Sequence, residues 1–159
     1  MGLLDVVRSF FDESGALTPG ATRRQLQRGF LWACEYGYKD VVEFLLEHGA
    51  DLLDQAGTNE TALHWAVVAG NVAMIRLLLD RGASLEERNG YGGTALGQAG
   101  WSFANGDPEI DYVPVFEILL EAGANIEEGW LAWMEKQEAR PAAARNRLAD
   151  VLRRYGAVT

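Results

Sequence analysis

Two histidines, one cysteine and a short run of alternating acids are the residues whose types could support chemistry in this 159-residue chain. Cys34 and His64 would make a nucleophile and base if the fold brought them together, since a neighbouring imidazole can activate a thiol. Cys34, however, lies among small and apolar neighbours (Phe30-Leu31-Trp32-Ala33-Cys34), a setting in which thiols are inert. His48 falls in the last turn of an apolar helical stretch, where a partly cationic ring complements the helix dipole. Asp107, Glu109 and Asp111 alternate as calcium ligands can, but a calcium loop starting at Asp107 would want Gly at 112 and Glu at 118. Tyr112 and Ile118 stand there instead. No C-x-x-C or H-x-x-x-H spacing exists, which excludes a structural zinc site. Gly90-Tyr91-Gly92-Gly93-Thr94-Ala95 matches G-x-G-x-x-A, yet Leu85-Glu86-Glu87-Arg88 before it is too charged for the buried strand a dinucleotide site requires. The glycines read as turn residues. No catalytic centre, metal or cofactor is expected.

The elements that must position these residues announce themselves by a period. The phrases His48-Gly49-Ala50-Asp51, Arg81-Gly82-Ala83-Ser84, Ala122-Gly123-Ala124-Asn125 and Tyr155-Gly156-Ala157-Val158 recur with their glycines 33, 41 and 33 residues apart. The long interval is one period plus an eight-residue insertion. Each phrase closes an apolar stretch: Val41–Leu46, Met74–Leu79, Val115–Leu120 and, more weakly, Leu148–Leu152. Apolar positions at i, i+3, i+4 and i+7 make one stripe that must pack on something, and a glycine just past the end suits a left-handed C-terminal cap. A partner helix rich in small residues precedes each: Phe30–Cys34, Thr61–Ala66 and Thr94–Ala99. No single pair of short helices can bury its own face, so the pairs must stack.

Composition agrees with one globular domain. Apolar residues make up 48% of the chain and charged residues 23%, which disfavours disorder. The single cysteine rules out an internal disulfide framework and fits a reducing compartment. No apolar run approaches the roughly 18 residues of a membrane span, and Met1-Gly2-Leu3-Leu4-Asp5-Val6 lacks both a basic secretory start and the Ser or Thr of a myristoylation site. A cytoplasmic protein, monomeric by itself, is expected. The net charge is −9, unevenly spread. Residues 135–154 hold six bases (Lys136, Arg140, Arg145, Arg147, Arg153, Arg154) against three acids, a local +3 that leaves −12 elsewhere. Such a field repels nucleic acid and favours a protein partner with a basic surface. The basic C-terminal face itself reads as a solvated outer wall.

On these residues the sequence resembles the ankyrin repeat family. Thr61-Ala62-Leu63-His64-Trp65-Ala66, then Gly70-Asn71, then Leu77-Leu78-Leu79-Asp80-Arg81-Gly82-Ala83-Ser84 follows that family's T-P-L-H-x-A…G-H…L-L-x-x-G-A-D pattern, with Ala62 for Pro, Asn71 for His and Ser84 for Asp. Arg28-Gly29-Phe30-Leu31 replaces T-P-L-H in the first full copy, as a terminal repeat can. The resemblance implies an all-α solenoid of stacked helix pairs with short β-hairpin fingers and helical caps at both ends. Residues 1–21 are a cap or degenerate repeat, with Val6–Phe11 as its helix. Residues 22–52, 53–86 and 87–126 are repeats, the last with an insertion at 102–113, and 127–159 is the C-terminal cap, in which Trp130–Met134 and a helix starting at Pro141 form the pair. It also implies that His64 hydrogen-bonds backbone between repeats.

Protein binding is the function that the resemblance implies, through a concave face lined by fingers and first helices. Positions mapped to that face are Glu35 and Tyr36, Val68 and Ala69, and Trp101 and Ser102 on the helices. Gln55, Asn59 and Glu60, then Arg88, Asn89 and Tyr91, map to the fingers. Tyr36, Tyr91 and Trp101 are the expected anchors, because Tyr and Trp concentrate interface energy, with Glu35 and Glu60 as rim charges. The insertion would add Phe103, Ile110 and Tyr112 with Asp107, Glu109 and Asp111, a set able to enter a basic, partly apolar groove. Two alternatives remain open: an acidic inhibitor or immunity-type protein masking a basic enzyme or toxin, and a small-molecule or enzymatic use of the insertion loop.

Overall fold

The computed structural model describes residues 2–138 and 140–157; Met1, at the start of the lipidation pattern, and Val158, last in the fourth Gly-Ala phrase, lie outside them. The described helices are α1 Leu3–Arg8, α2 Arg23–Tyr36, α3 Lys39–Glu47, α4 Ala62–Val68, α5 Val72–Asp80, α6 Ala95–Asn105, α7 Val113–Glu121, α8 Trp130–Glu135 and α9 Ala142–Arg154. They form two layers. In one, α2 packs on α4 and α4 on α6; in the other, α5 packs on α7 and α7 on α9. The pairs α2/α3, α4/α5, α6/α7 and α8/α9 join the layers. Between them lies one apolar core in which Phe30, Leu31, Val42, Leu63, Ile75, Leu78, Leu96, Phe116, Leu119 and Leu152 are buried. No described helix is long and apolar enough to cross a membrane.

The recurring glycine phrase ends four helices in the same way. Gly49, Gly82, Gly123 and Gly156 take φ between 86° and 97°, and the following alanine N–H reaches back to the carbonyl of Leu45, Leu78, Leu119 or Leu152 at 2.8–3.0 Å. That closure is the Schellman arrangement, which satisfies carbonyls the helix leaves orphaned and needs a left-handed residue at the glycine. Two of the starts are set by threonines. Thr22 and Gln25 cap each other reciprocally at α2, and Thr94 Oγ1 accepts the Gly97 N–H at α6.

Three features differ from the sequence expectations. First, the fingers consist of turns; the extended pairing among the described residues is one isolated antiparallel bridge, Phe11 to Leu17. Ala56, Gly57, Asn59 and Gly92 take left-handed φ there, and side-chain amides replace ladder partners: Gln27 bonds both backbone groups of Asp51 at 2.5 and 2.9 Å. Second, the N-terminal helix ends at Arg8 rather than running to Phe11. The chain turns there, and the Phe11 ring meets Phe44 at 5.1 Å and His48 at 4.7 Å while α1 packs on α3.

The third difference is the insertion, whose first third, residues 102–105, is helix. α6 has 11 residues where α4 has 7, and residues 106–112 then link it to α7 where residues 69–71 join α4 to α5. This link is braced on both sides. The Tyr112 hydroxyl donates to the Val68 carbonyl at 2.8 Å, at the end of α4. From the α8–α9 connection, Arg140 donates to the carbonyls of Ser102 at 3.1 Å, Gly106 at 3.0 Å and Phe103, with its guanidinium 5.5 Å from the Phe103 ring centre. Arg140 is therefore buried at 7% exposure rather than part of a solvated basic wall. Its charge and five donors match the negative, orphaned C-terminus of α6.

Candidate functional site

Four of the expected site residues come together. Glu60, Asn89, Tyr91 and Trp101, with Gly93, Gly97 and Gln98, line a hollow of about 590 Å³ between α6 and the fingers of the second and third repeats, which carry Gln55 to Glu60 and Arg88 to Gly93 and are called the second and third fingers. Asn89 organises its floor. Its side-chain carbonyl accepts the N–H of Tyr91 at 3.0 Å and of Gly93 at 2.9 Å, which folds the finger into a tight Asx-type turn. Its amide nitrogen donates to both Glu60 oxygens at 3.3 Å and to Gln98 Oε1 at 3.1 Å. Gln98 continues the chain of bonds to Ser102 Oγ at 3.3 Å. A buried network of this kind holds its members rigid only when its bonds are made. Above the floor, Tyr91 is 83% exposed and Trp101 59% exposed.

Glu60 is the unusual member. It is 8% exposed, and none of the ion pairs among the described residues includes it. Burial pushes its carboxyl above the ordinary 4.5, and the Asn89 amide offsets that only in part.

His64 lies beneath the same finger. Nε2 meets the Gly93 carbonyl at 3.1 Å, so that nitrogen carries the proton and Nδ1 accepts from the Thr61 hydroxyl at 2.7 Å. Burial holds its pKa below 6.5. With both ring nitrogens committed, His64 has none to offer Cys34, whose thiol burial raises well above the usual range. His48 stacks on Phe44 at 4.0 Å, and its Nδ1 meets the Phe44 carbonyl. Two of the three insertion acids are engaged separately: Asp107 Oδ1 accepts the Glu109 N–H, and Asp111 pairs with Arg147 at 2.9 Å.

The other expected positions are distributed as follows. Gln55 and Asn59 tie finger to finger, through Gln55 Nε2 to the Arg88 carbonyl at 3.1 Å and the Gly90 N–H to the Asn59 carbonyl at 2.7 Å. Arg88 bonds the Gly92 carbonyl and lies 3.8 Å from Glu127. Val68 lends its carbonyl to Tyr112. Phe103 and Tyr112, expected at the surface, are each 2% exposed. They fill the space between α4, α7 and Arg140, so a partner cannot reach them; Asp107 and Glu109 stay exposed. Glu35 and Tyr36 lie at the end of α2, and Tyr36 instead borders a separate apolar hollow of about 410 Å³ with Phe10, Trp32 and Tyr38.

Gln98 and Arg140 were not singled out from sequence. A signal existed for Gln98: at the 33-residue period its column reads Trp32, Trp65, Gln98, a polar residue where two indoles precede it. Arg140 had none, because its partners are backbone carbonyls far away in sequence.

A family profile of three ankyrin repeats matches residues 30–129. The chain belongs to the ankyrin repeat family. Its fold is similar to the crystal structure of an ankyrin repeat domain from Acinetobacter baumannii AYE, with a TM-score of 0.68 and 27% sequence identity over 92% of this chain and 72% of that one. No curated protein matches the chain. Ankyrin repeats are in general protein–protein interaction modules, and the family is typically non-catalytic.

Proposed function

We propose that this ankyrin domain binds a partner protein across the face built from its second and third fingers and α6, acting as a monomer in the cytoplasm. The observation that carries the reading is the pair Tyr91 and Trp101, large aromatics left exposed above a floor whose amide and carboxylate groups already hold one another in place. A preorganised floor beneath exposed aromatic anchors is the composition of an interface centre, since little conformational freedom remains to be lost on binding. The net charge of −9, with Asp107 and Glu109 exposed nearby in sequence to Trp101, favours a partner whose surface is basic. Nucleic acid is disfavoured by the same field.

The test is to isolate a partner by affinity capture, identify it by mass spectrometry and measure its affinity for the wild type, Tyr91→Ala and Trp101→Ala. Each substitution is expected to weaken binding by about tenfold or more while leaving the melting temperature within a degree or two. A partner that binds both variants as tightly as the wild type removes the reading.

A further inference from the structure

The same hollow has a chemical preference of its own. It contains one carboxylate, Glu60, taken out of water and given a single amide nitrogen as its side-chain donor. A carboxylate accepts several hydrogen bonds, so Asn89 leaves acceptor capacity unused. The remaining polar groups on the floor are committed among themselves: Asn89 Oδ1 to two backbone N–H groups, Gln98 Oε1 to Asn89, and Gln98 Nε2 to Ser102. The basic side chains that bond nearby are engaged with other acceptors, Arg88 with Gly92 and Glu127, and Arg140 with the end of α6. A tyrosine and a tryptophan, Tyr91 and Trp101, line its walls. A buried anion without a cation, in a hollow rimmed by two aromatic rings, is the complement of one chemical group.

We infer that the hollow receives one cationic side chain of the partner, a lysine or an arginine, with its charge at the Glu60 carboxylate and its stem against Tyr91 and Trp101. The inference rests on the reading of this face as the partner-binding surface. A cation placed there regains from Glu60 and the aromatic faces what it loses in hydration, because both interactions strengthen where water is excluded. A neutral side chain of the same shape would bury the aromatic area and leave the carboxylate as it was. Selectivity between the two therefore resides in Glu60.

The test uses the full chain, labelled with ¹⁵N, titrated with four small probes: N-acetyl-arginine amide, N-acetyl-lysine amide and their neutral counterparts N-acetyl-citrulline amide and N-acetyl-norleucine amide. The readouts are the side-chain amide signals of Asn89 and Gln98 and the indole N–H of Trp101. At least one cation is expected to shift all three saturably, its neutral counterpart binding at least about tenfold more weakly; the tighter of the two cations names the side chain. Glu60→Gln keeps an acceptor for Asn89 and removes the charge, and it should lower the affinity of that cation by about tenfold. Equal response to cation and isostere, or shifts confined to other parts of the chain, overturns the inference without any variant being made. With a captured partner in hand the two levels separate. Affinity lost in Tyr91→Ala and Trp101→Ala but kept in Glu60→Gln overturns the cation site and leaves the face standing; affinity kept in all three removes the face itself.

Discussion

Folding takes the Glu60 carboxylate out of water and gives it one amide donor in exchange. Because its folded pKa is raised above 4.5, the native state holds that proton more readily than the unfolded chain. Ionised Glu60 therefore lowers stability at neutral pH, and the penalty fades as pH falls through the raised value. Glu60→Gln should melt above the wild type at pH 7, with the advantage gone below about pH 4.5, where the carboxyl is protonated in both states. His64 works in the opposite direction. Its folded pKa lies below 6.5, so its contribution is full above that pH and lost as pH falls. In urea titrations between pH 7.5 and 5.5, the stability of His64→Gln should fall less steeply with decreasing pH than that of the wild type. At this scale the sequence was legible where a residue acts on its own repeat or the next one. The backbone contact of His64 and the finger position of Asn89 follow from the resemblance to the ankyrin repeat, whereas the burial of Phe103 and Tyr112 depends on Arg140 and α4, which no local pattern connects to them.

Helix ends were the most legible elements, because a left-handed glycine after an apolar stripe is a local signal with a local cause. The insertion was not. Aligning it by period alone assigned all its extra residues to a loop, although Trp101-Ser102-Phe103-Ala104 continues the helical stripe of α6 by another turn. Charge composition likewise placed Arg140 on a solvated wall, since composition cannot register backbone carbonyls. Arg140 is the brace of this element. Arg140→Met takes the Arg140 donors from the carbonyls of Ser102, Phe103 and Gly106, of which Ser102 keeps the Gly106 N–H at 2.7 Å, and should destabilise the protein by about 3 kcal/mol. Amides of residues 104–113 should exchange faster in that variant than those of α4 and α5. A loss below about 0.5 kcal/mol, with unchanged exchange in the insertion, would show that the link stands without its clamp.

The whole molecule is a row of helix pairs, each sheltering the apolar stripe of the next. The 33-residue period made that architecture readable, since one repeated unit can bury its face only by stacking. Leu78, fully buried in α5, sits inside this shared core. Leu78→Ala should cost about 2–5 kcal/mol through the cavity it opens, measured by urea denaturation; an unchanged midpoint would contradict the stacking. The acidity of the whole chain belongs to this scale too, through the attraction of basic partners and its screening by salt. The most direct measurement of the central claim, that a protein seats on the fingers and α6, is hydrogen–deuterium exchange of the domain with and without its captured partner. Protection should concentrate in residues 58–61 and 88–104 and spare α5, α7 and α9. A footprint confined to those three helices, or to α1 and the hollow beside Tyr36, would contradict it.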